Sequence, residues 1–139
     1  MNQPEDGDSP STGAKYTLDF RFEGGCLTAE AGGRVATLEE AIAFFRDIAA
    51  ELRKTGAKSL LIIDGSEGIV PDANEFEILA TSLAGEGFEG VRTAFVDADT
   101  NAIERIEVGE IIARGLGYQF RVFNSEALAN LWLRYGRDE

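Results

Sequence analysis

A short apolar run near the middle of the chain, Ser59–Asp64 (SLLIID), restricts the fold more than any other segment. Its side chains are apolar on both alternating faces, which is typical of a central strand that is covered on both sides. A glycine- and acid-bearing loop follows through Pro71, and Asp72 with Glu75 has the spacing of a helix capping box. The chain therefore passes from a buried strand through a loop into a helix, the junction where α/β proteins commonly bind ligands.

Strand and helix patterns alternate on both sides of that run. Residues 16–22 alternate apolar and polar side chains, Gly24-Gly25 supplies a tight turn, and residues 26–31 return as a second strand that Gly32-Gly33 interrupts. Three further strand-helix units follow the first helix, which gives the order β-β-α-β-α-β-α-β-α. This order predicts an α/β fold whose mixed sheet is mostly parallel, with the opening hairpin as its antiparallel edge.

Helical periodicity predicts which side chains face the sheet. In the first helix, Phe45 falls on the buried stripe and Phe44 lies outside it. In the last helix, after the cap residue Ser125, four residues form the predicted buried stripe: Leu128, Leu131, Trp132 and Tyr135.

The charge balance excludes several classes of partner. The 139 residues include 25 acidic and 13 basic side chains and no histidine, for a formal net charge of -12. Such a chain lacks the Lys and Arg that nucleic acids and anionic lipids require, so we expect no nucleic-acid partner. No run of 18 apolar residues occurs and Cys26 is the only cysteine, so we expect a cytoplasmic protein with no membrane insertion and no internal disulfide.

The first 14 residues differ from the rest in composition. They are rich in Pro, Gly, Ser and acid, and have no large apolar residue after the first. Burial cannot offset the entropy of ordering such a segment. We expect residues 1–14 to be a disordered acidic tail and residues 15–139 to form a single domain.

The residues that can carry chemistry are few. Asp64, Asp72, Asp97 and Asp99 follow strands that end at one edge of the sheet, where carboxylates can hold a divalent cation. Turn, cap and strand-end roles explain the same aspartates without a metal. Ser66 has no histidine to accept its proton, and its glycine-flanked segment lacks phosphate-loop spacing. We therefore predict no catalytic residue, cofactor or metal.

The segment LLIIDGSEGIVPDAN resembles the characteristic segment of the STAS family, the domain shared by bacterial anti-sigma factor antagonists and the cytoplasmic tails of sulfate transporters. Asp64 and Ser66 fall on the family's first Asp and Ser, and Asp72 falls on the Asp that caps the following helix. The element order is similar over residues 16–135. The resemblance implies strands in consecutive order and helices mainly on one side of the sheet.

The chain departs from the family where its switch serine would stand. Ala73 and Asn74 occupy the start of the helix, and Glu75 replaces the usual glycine. Neither Ala nor Asn accepts phosphate, so the phosphorylation switch that the resemblance implies is expected to be absent. The chain is similar to divergent, stand-alone bacterial members of the family.

These features favour a non-enzymatic, regulatory STAS-like interaction module that lacks the phosphoacceptor serine. Its partner would be a protein such as a kinase or regulatory factor, with a homodimer as a further option. The alternative is a small-ligand or lipid-binding domain with a pocket between strand ends and helices, and a metal-dependent enzyme that uses strand-end carboxylates comes third. The predicted partner-binding residues are Asp64, Ser66, Ile69, Val70, Asp72 and Asn74.

Overall fold

A computed structural model describes residues 15–97 and 100–136, without the side chains of residues 100–103. The predicted acidic tail and Asp99 lie outside the described residues. The elements are β1 (Tyr16–Glu23), β2 (Cys26–Val35), α1 (Leu38–Thr55), β3 (Ser59–Asp64), β4 (Glu67–Gly68), α2 (Ala73–Ser82), β5 (Arg92–Asp97), α3 (Thr100–Gly115), β6 (Phe120–Phe123) and α4 (Glu126–Tyr135).

One mixed sheet organises these elements. Its strand order is β1-β2-β3-β5-β6, with β1 antiparallel to β2 and every other neighbouring pair parallel. The two-residue strand β4, which the sequence pattern did not predict, pairs in parallel with the last residues of β2. The predicted α/β fold with a mostly parallel sheet is confirmed, and its main strands lie in the order in which the chain forms them.

Glycines set the geometry of the β1-β2 hairpin. Gly24 and Gly25 have φ of 58° and 80°, the left-handed pair that a two-residue turn needs. The prediction that Gly32-Gly33 interrupts the second strand is wrong, because β2 continues to Val35 and Gly33 pairs with Tyr16. Gly33 has φ of 79°, and a Cβ there would overlap the carbonyl oxygen of Lys15. A glycine therefore keeps the two strands paired at this point.

The helices cover the two faces of the sheet unequally. Helices α1, α2 and α3 pack on one face, where Leu60 and Ile62 of β3 join the larger hydrophobic cluster. Helix α4 packs on the other face over Leu61 and Val96, in a smaller cluster around Trp132. The expected placement of helices mainly on one side is confirmed.

Two predictions about buried helix faces are wrong. Phe44 is 3% exposed and lies edge-on against Tyr16 at 5.4 Å between ring centroids, whereas Phe45 is only half-buried. In α4, Leu128, Leu131 and Tyr135 are 52%, 55% and 72% exposed, although Trp132 is buried as expected. Ala129 and Trp132 are the buried residues of α4, so its contact with the sheet is narrower than the apolar stripe.

None of the helices in the described part of the chain combines the length and hydrophobicity that crossing a bilayer requires.

Candidate functional site

A cavity of about 550 Å³ lies between the sheet and the three helices α1, α2 and α3. This volume falls within the usual range of small-molecule sites, roughly 300–1,000 Å³. The cavity reaches the edge of the sheet at which β3 and β5 end, since the last residues of both strands line it. Ligands of parallel α/β sheets commonly bind at this edge.

The walls of the cavity are mainly apolar and aromatic. Phe44 and Phe45 approach from α1, Phe76 from α2, and Phe95 from the floor formed by β5. The contact between α2 and α3 depends on Gly109, where a Cβ would lie 2.6 Å from the Phe76 ring. The absence of a side chain at that position lets the aromatic ring lie directly on α3.

Two carboxylates stand at the carboxyl ends of neighbouring strands. Asp64 ends β3, Asp97 ends β5, and the two residues are register partners whose side chains both line the cavity. Neighbouring strands lie about 4.8 Å apart, so the two side chains are adjacent on the same face of the sheet. The Oδ1 atom of Asp64 accepts hydrogen bonds from the Ser66 N–H at 2.9 Å and from the Ser66 Oγ–H at 2.6 Å.

The pKa of the Asp64 carboxyl is raised above its ordinary value. Burial is the largest cause, and the negative charge of Asp97 acts in the same direction. The two hydrogen bonds from Ser66 oppose the shift because they stabilise the ionised carboxylate, but they do not cancel it. Asp64 therefore retains its proton to a higher pH than an exposed aspartate does.

The loop between β3 and α2 forms one wall of the cavity and is tied to β2. The Gly65 N–H donates to the Ala31 carbonyl at 2.8 Å, and the Ile69 N–H donates to the Val35 carbonyl at 3.0 Å. Between them, Gly68 has φ of 135°, and a Cβ there would overlap the Val35 carbonyl oxygen. The loop backbone thus lies directly against the end of β2, and a side chain at Gly68 would push it away.

The predicted partner-binding residues divide into two groups. Asp64, Ser66, Ile69 and Val70 line the cavity, with Ile69 39% exposed and Val70 packed against the core. Asp72 and Asn74 are exposed and lie outside the cavity lining.

The predicted capping box at the start of α2 is confirmed. Asp72 Oδ1 accepts from the Glu75 N–H at 2.8 Å, and Glu75 Oε1 accepts from the Asp72 N–H at 3.0 Å. Asp72 therefore sets where α2 begins, immediately after the loop that walls the cavity.

Sequence reasoning missed three polar residues of the cavity, which are Glu67 in the loop before α2, Thr93 and Tyr118. Thr93 is 4% exposed in β5, and its hydroxyl donates to the Val91 carbonyl at 3.2 Å. Tyr118 precedes β6, and its hydroxyl donates to the Ala80 carbonyl of α2 at 2.8 Å. The sequence gives a weak indication that Thr93 belongs to a site, since it is a polar residue on the inward face of an apolar strand. The sequence gives no such indication for Tyr118, because its hydrogen-bond partner, Ala80, is 38 residues away in the chain.

The suggested carboxylate site for a divalent cation has no geometric support in the part of the chain that the structure describes. Those residues contain no group of three or more Cys, Asp or Glu side chains placed to hold a metal ion. Asp72 serves as a helix cap and does not line the cavity with Asp64 and Asp97.

Comparison of the chain with protein-family models and with curated proteins gives no match. The resemblance to the STAS family remains a prediction from the sequence.

Proposed function

We propose that this protein binds a small, mainly apolar molecule in the cavity between the sheet and helices α1 to α3. The observation that carries the proposal is the cavity itself, about 550 Å³ of space with aromatic and aliphatic walls at the carboxyl edge of a parallel sheet. This is the small-ligand alternative predicted from the sequence, with a pocket between strand ends and helices.

The energetics of packing support a ligand at this place. Protein interiors are close-packed, and side chains that border an empty space lose the dispersion contacts that a neighbour would provide. An apolar ligand restores those contacts, and its own apolar surface is removed from water when it binds. Each buried methylene group contributes about 0.8 kcal/mol, so we expect about fourfold tighter binding for each carbon added to a chain that still fits.

A cavity-filling substitution tests the proposal. Ala113 lines the cavity, and we expect Ala113→Leu to weaken binding of the uncharged fluorophore N-phenyl-1-naphthylamine by about tenfold or more, since the added side chain takes the ligand's space. The matched control is Ala50→Leu, because Ala50 lies on the exposed side of α1. Fluorescence titration measures both affinities, and competition by hexanol, octanol and decanol measures the dependence on chain length.

The proposal fails if the fluorophore binds Ala113→Leu and wild type with equal affinity while circular dichroism shows both to be folded. It also fails if no saturable binding occurs in wild type.

A second candidate, the regulatory interaction module, is favoured by the rim of the cavity. Ile69 is 39% exposed there, beside the exposed acidic residues Glu67 and Asp72. A protein partner with apolar and basic side chains would complement this surface. In this version the chain is a divergent bacterial STAS-like protein that acts in the cytoplasm.

The test of this candidate compares three forms of the chain as bait in pull-down experiments: wild type, Ile69→Asp and Phe22→Asp. Phe22 is an exposed apolar residue of β1 and serves as the control. A protein that Ile69→Asp alone fails to retain supports the interaction module, and identical sets from all three baits contradict it.

A further inference from the structure

The polar side chains that line the cavity can all accept hydrogen bonds from a ligand. Six of the residues that line it are polar: Asp64, Ser66, Glu67, Thr93, Asp97 and Tyr118. They comprise three carboxylates and three hydroxyls. Lys and Arg do not occur among the described residues of the lining, and the whole chain has no His. The cavity therefore has no cationic side chain with which to bind an anionic ligand.

Each of the three hydroxyls already uses its proton on the protein. Ser66 Oγ–H donates to Asp64 Oδ1 at 2.6 Å, Thr93 Oγ1–H to the Val91 carbonyl at 3.2 Å, and the Tyr118 hydroxyl to the Ala80 carbonyl at 2.8 Å. A hydroxyl has one proton to donate and two lone pairs with which to accept. These groups therefore present only lone pairs to a ligand.

The carboxylates extend this acceptor surface at the end of the cavity. Asp64 and Asp97 lie side by side in register on β3 and β5. An ionised carboxylate has about four positions at which it can accept a hydrogen bond, so the bonds from Ser66 to Asp64 leave capacity for a ligand. A ligand that donates to this pair would form charge-assisted hydrogen bonds, which are the strong class.

An anionic head group would meet the opposite conditions. A fatty-acid carboxylate at this end would face two negative charges, and the described side chains of the lining offer it no donor that is still available. Screening by salt is weaker inside a cavity than at the surface, so the repulsion persists at physiological ionic strength. The side-chain chemistry thus disfavours the head group that most simple lipids carry.

We propose that the ligand of this cavity is an amphiphile whose apolar body lies among the aromatic walls and whose amine head donates hydrogen bonds to Asp64 and Asp97. This inference rests on the proposed binding function and adds the chemical class of the ligand. The apolar walls provide affinity in proportion to buried area, whereas the acceptor-only end provides the selection between head groups.

Three probes with one chain length test the head-group preference: decylamine, decanol and decanoate. Each is titrated as a competitor of N-phenyl-1-naphthylamine at pH 7, below its solubility limit and below any micelle-forming concentration. We expect decylamine to bind about tenfold or more tightly than decanol, since its ammonium group carries a full charge opposite to that of the two carboxylates whereas the alcohol is neutral, and decanoate to bind most weakly.

The double variant Asp64→Asn/Asp97→Asn removes both charges and supplies amide donors. We expect it to lose the preference for decylamine and to gain affinity for decanoate. Its control is Glu77→Gln/Glu107→Gln, which removes two exposed charges that do not line the cavity. The control measures the non-specific attraction of a cation to a chain with net charge -12.

The outcomes separate this inference from the proposed function. If all three probes displace the fluorophore with equal affinity, or if both double variants lose the amine preference equally, the amine class is wrong while the binding cavity stands. If no probe displaces the fluorophore, the proposed binding function is wrong as well. Retained fluorophore binding by Asp64→Asn/Asp97→Asn shows that the variant is folded and that its changed preference is meaningful.

Discussion

Alternate residues of the same strands face the two sides of the sheet, and the two hydrophobic clusters that result are packed differently. In β3, Leu60 and Ile62 face the three helices that surround the cavity, while Leu61 faces α4. On the α4 face, the large indole of Trp132 is 6% exposed and lies 5.8 Å from the Phe123 ring, with the guanidinium of Arg92 5.1 Å from its centroid. Trp132 thus covers the sheet beneath α4 together with Ala129 and Leu133 of the same helix.

The cavity face has the opposite arrangement, because small residues occupy several of the helix positions that line the cavity. Ala41, Ala80 and Ala113 all line the cavity, and aromatic rings form part of its walls and of its floor. Three helices and a loop anchored on β2 therefore enclose space that their side chains do not fill. The two faces therefore differ in whether side chains fill the space between the helices and the sheet.

The largest expected effect tests whether Trp132 holds the α4 face together. Trp132→Ala should lower the free energy of unfolding by about 3–5 kcal/mol, since it removes a buried aromatic side chain and leaves a void. Leu131→Ala, at an exposed position of the same helix, should stay within about 0.5 kcal/mol of wild type. Urea unfolding measures both values.

The same variant tests whether the two faces are independent. Folded Trp132→Ala should bind N-phenyl-1-naphthylamine at the cavity as wild type does, because the sheet separates Trp132 from the cavity lining. Loss of binding in the folded variant would contradict that independence.

The next effect concerns the loop that walls the cavity. Gly68→Ala should destabilise the protein by about 1–3 kcal/mol, because φ of 135° strains any other residue and the new Cβ would collide with the Val35 carbonyl. Gly85→Ala is the matched control: Gly85 also has a positive φ, 80°, but has open space around its Cβ position, so its cost should be smaller. Urea unfolding compares the two, and equal costs would show that the Val35 contact does not matter.

A smaller effect on stability is expected from removing a helix cap, and it should differ between the caps of α2 and α4. Asp72→Ala should lower the free energy of unfolding by about 1–2 kcal/mol, since the capping box of α2 has two hydrogen bonds. Ser125→Ala removes only the bond from the Leu128 N–H at 3.2 Å and should cost less. Thermal unfolding ranks them. Fluorophore binding should weaken only for Asp72→Ala, and an equal loss in both variants would argue against a specific role for the start of α2.

The smallest effect is a pH dependence of stability at Asp64. Because the pKa of Asp64 is higher in the folded protein, the folded state binds more protons than the unfolded state between the ordinary value, about 3.9, and the folded value. Ionised Asp64 therefore opposes folding above that window, and its unfavourable contribution disappears as pH falls through it. We expect Asp64→Asn to be slightly more stable than wild type at pH 7, by less than about 1 kcal/mol.

That difference should shrink towards zero as the pH is lowered to about 3, below the ordinary pKa of an aspartate. Urea unfolding at several pH values measures it, with Glu77→Gln as a control at an exposed position of α2. A difference between Asp64→Asn and wild type that grows on acidification would have the wrong sign.

Local sequence patterns were sufficient to predict much of the fold and some residues of the candidate site. The hairpin turn at Gly24-Gly25 and the cap at Asp72 could be predicted because each depends on residues within a few positions of one another. Period-2 and period-3.6 patterns located the main strands and the helices for the same reason. Asp64 and Ser66 could be selected as candidate site residues because Asp64 ends a buried strand and Ser66 lies in the loop after it, although the cavity beside them could not be predicted.

The predictions that failed depend on what packs beside an element. Helical periodicity favoured Phe45 over Phe44, but Tyr16 of the hairpin packs on Phe44 and buries it. Leu131 continues an apolar stripe of α4 and is exposed because no partner element in the described structure covers that side of the helix. Gly33 is a residue type that usually interrupts a strand. It nevertheless pairs with Tyr16 in the sheet, because the backbone of β1 approaches it closely.

The sequence by itself determined the order of strands and helices, their caps and the direction of the sheet, since these follow from short-range backbone chemistry and from the handedness of strand-helix connections. Only the tertiary structure decided which apolar faces are buried, that space remains above β5, and that Asp64 and Asp97 meet at its end. Those properties depend on the shapes of side chains brought together from distant parts of the chain, and packing at such contacts has no signature within a few residues of sequence.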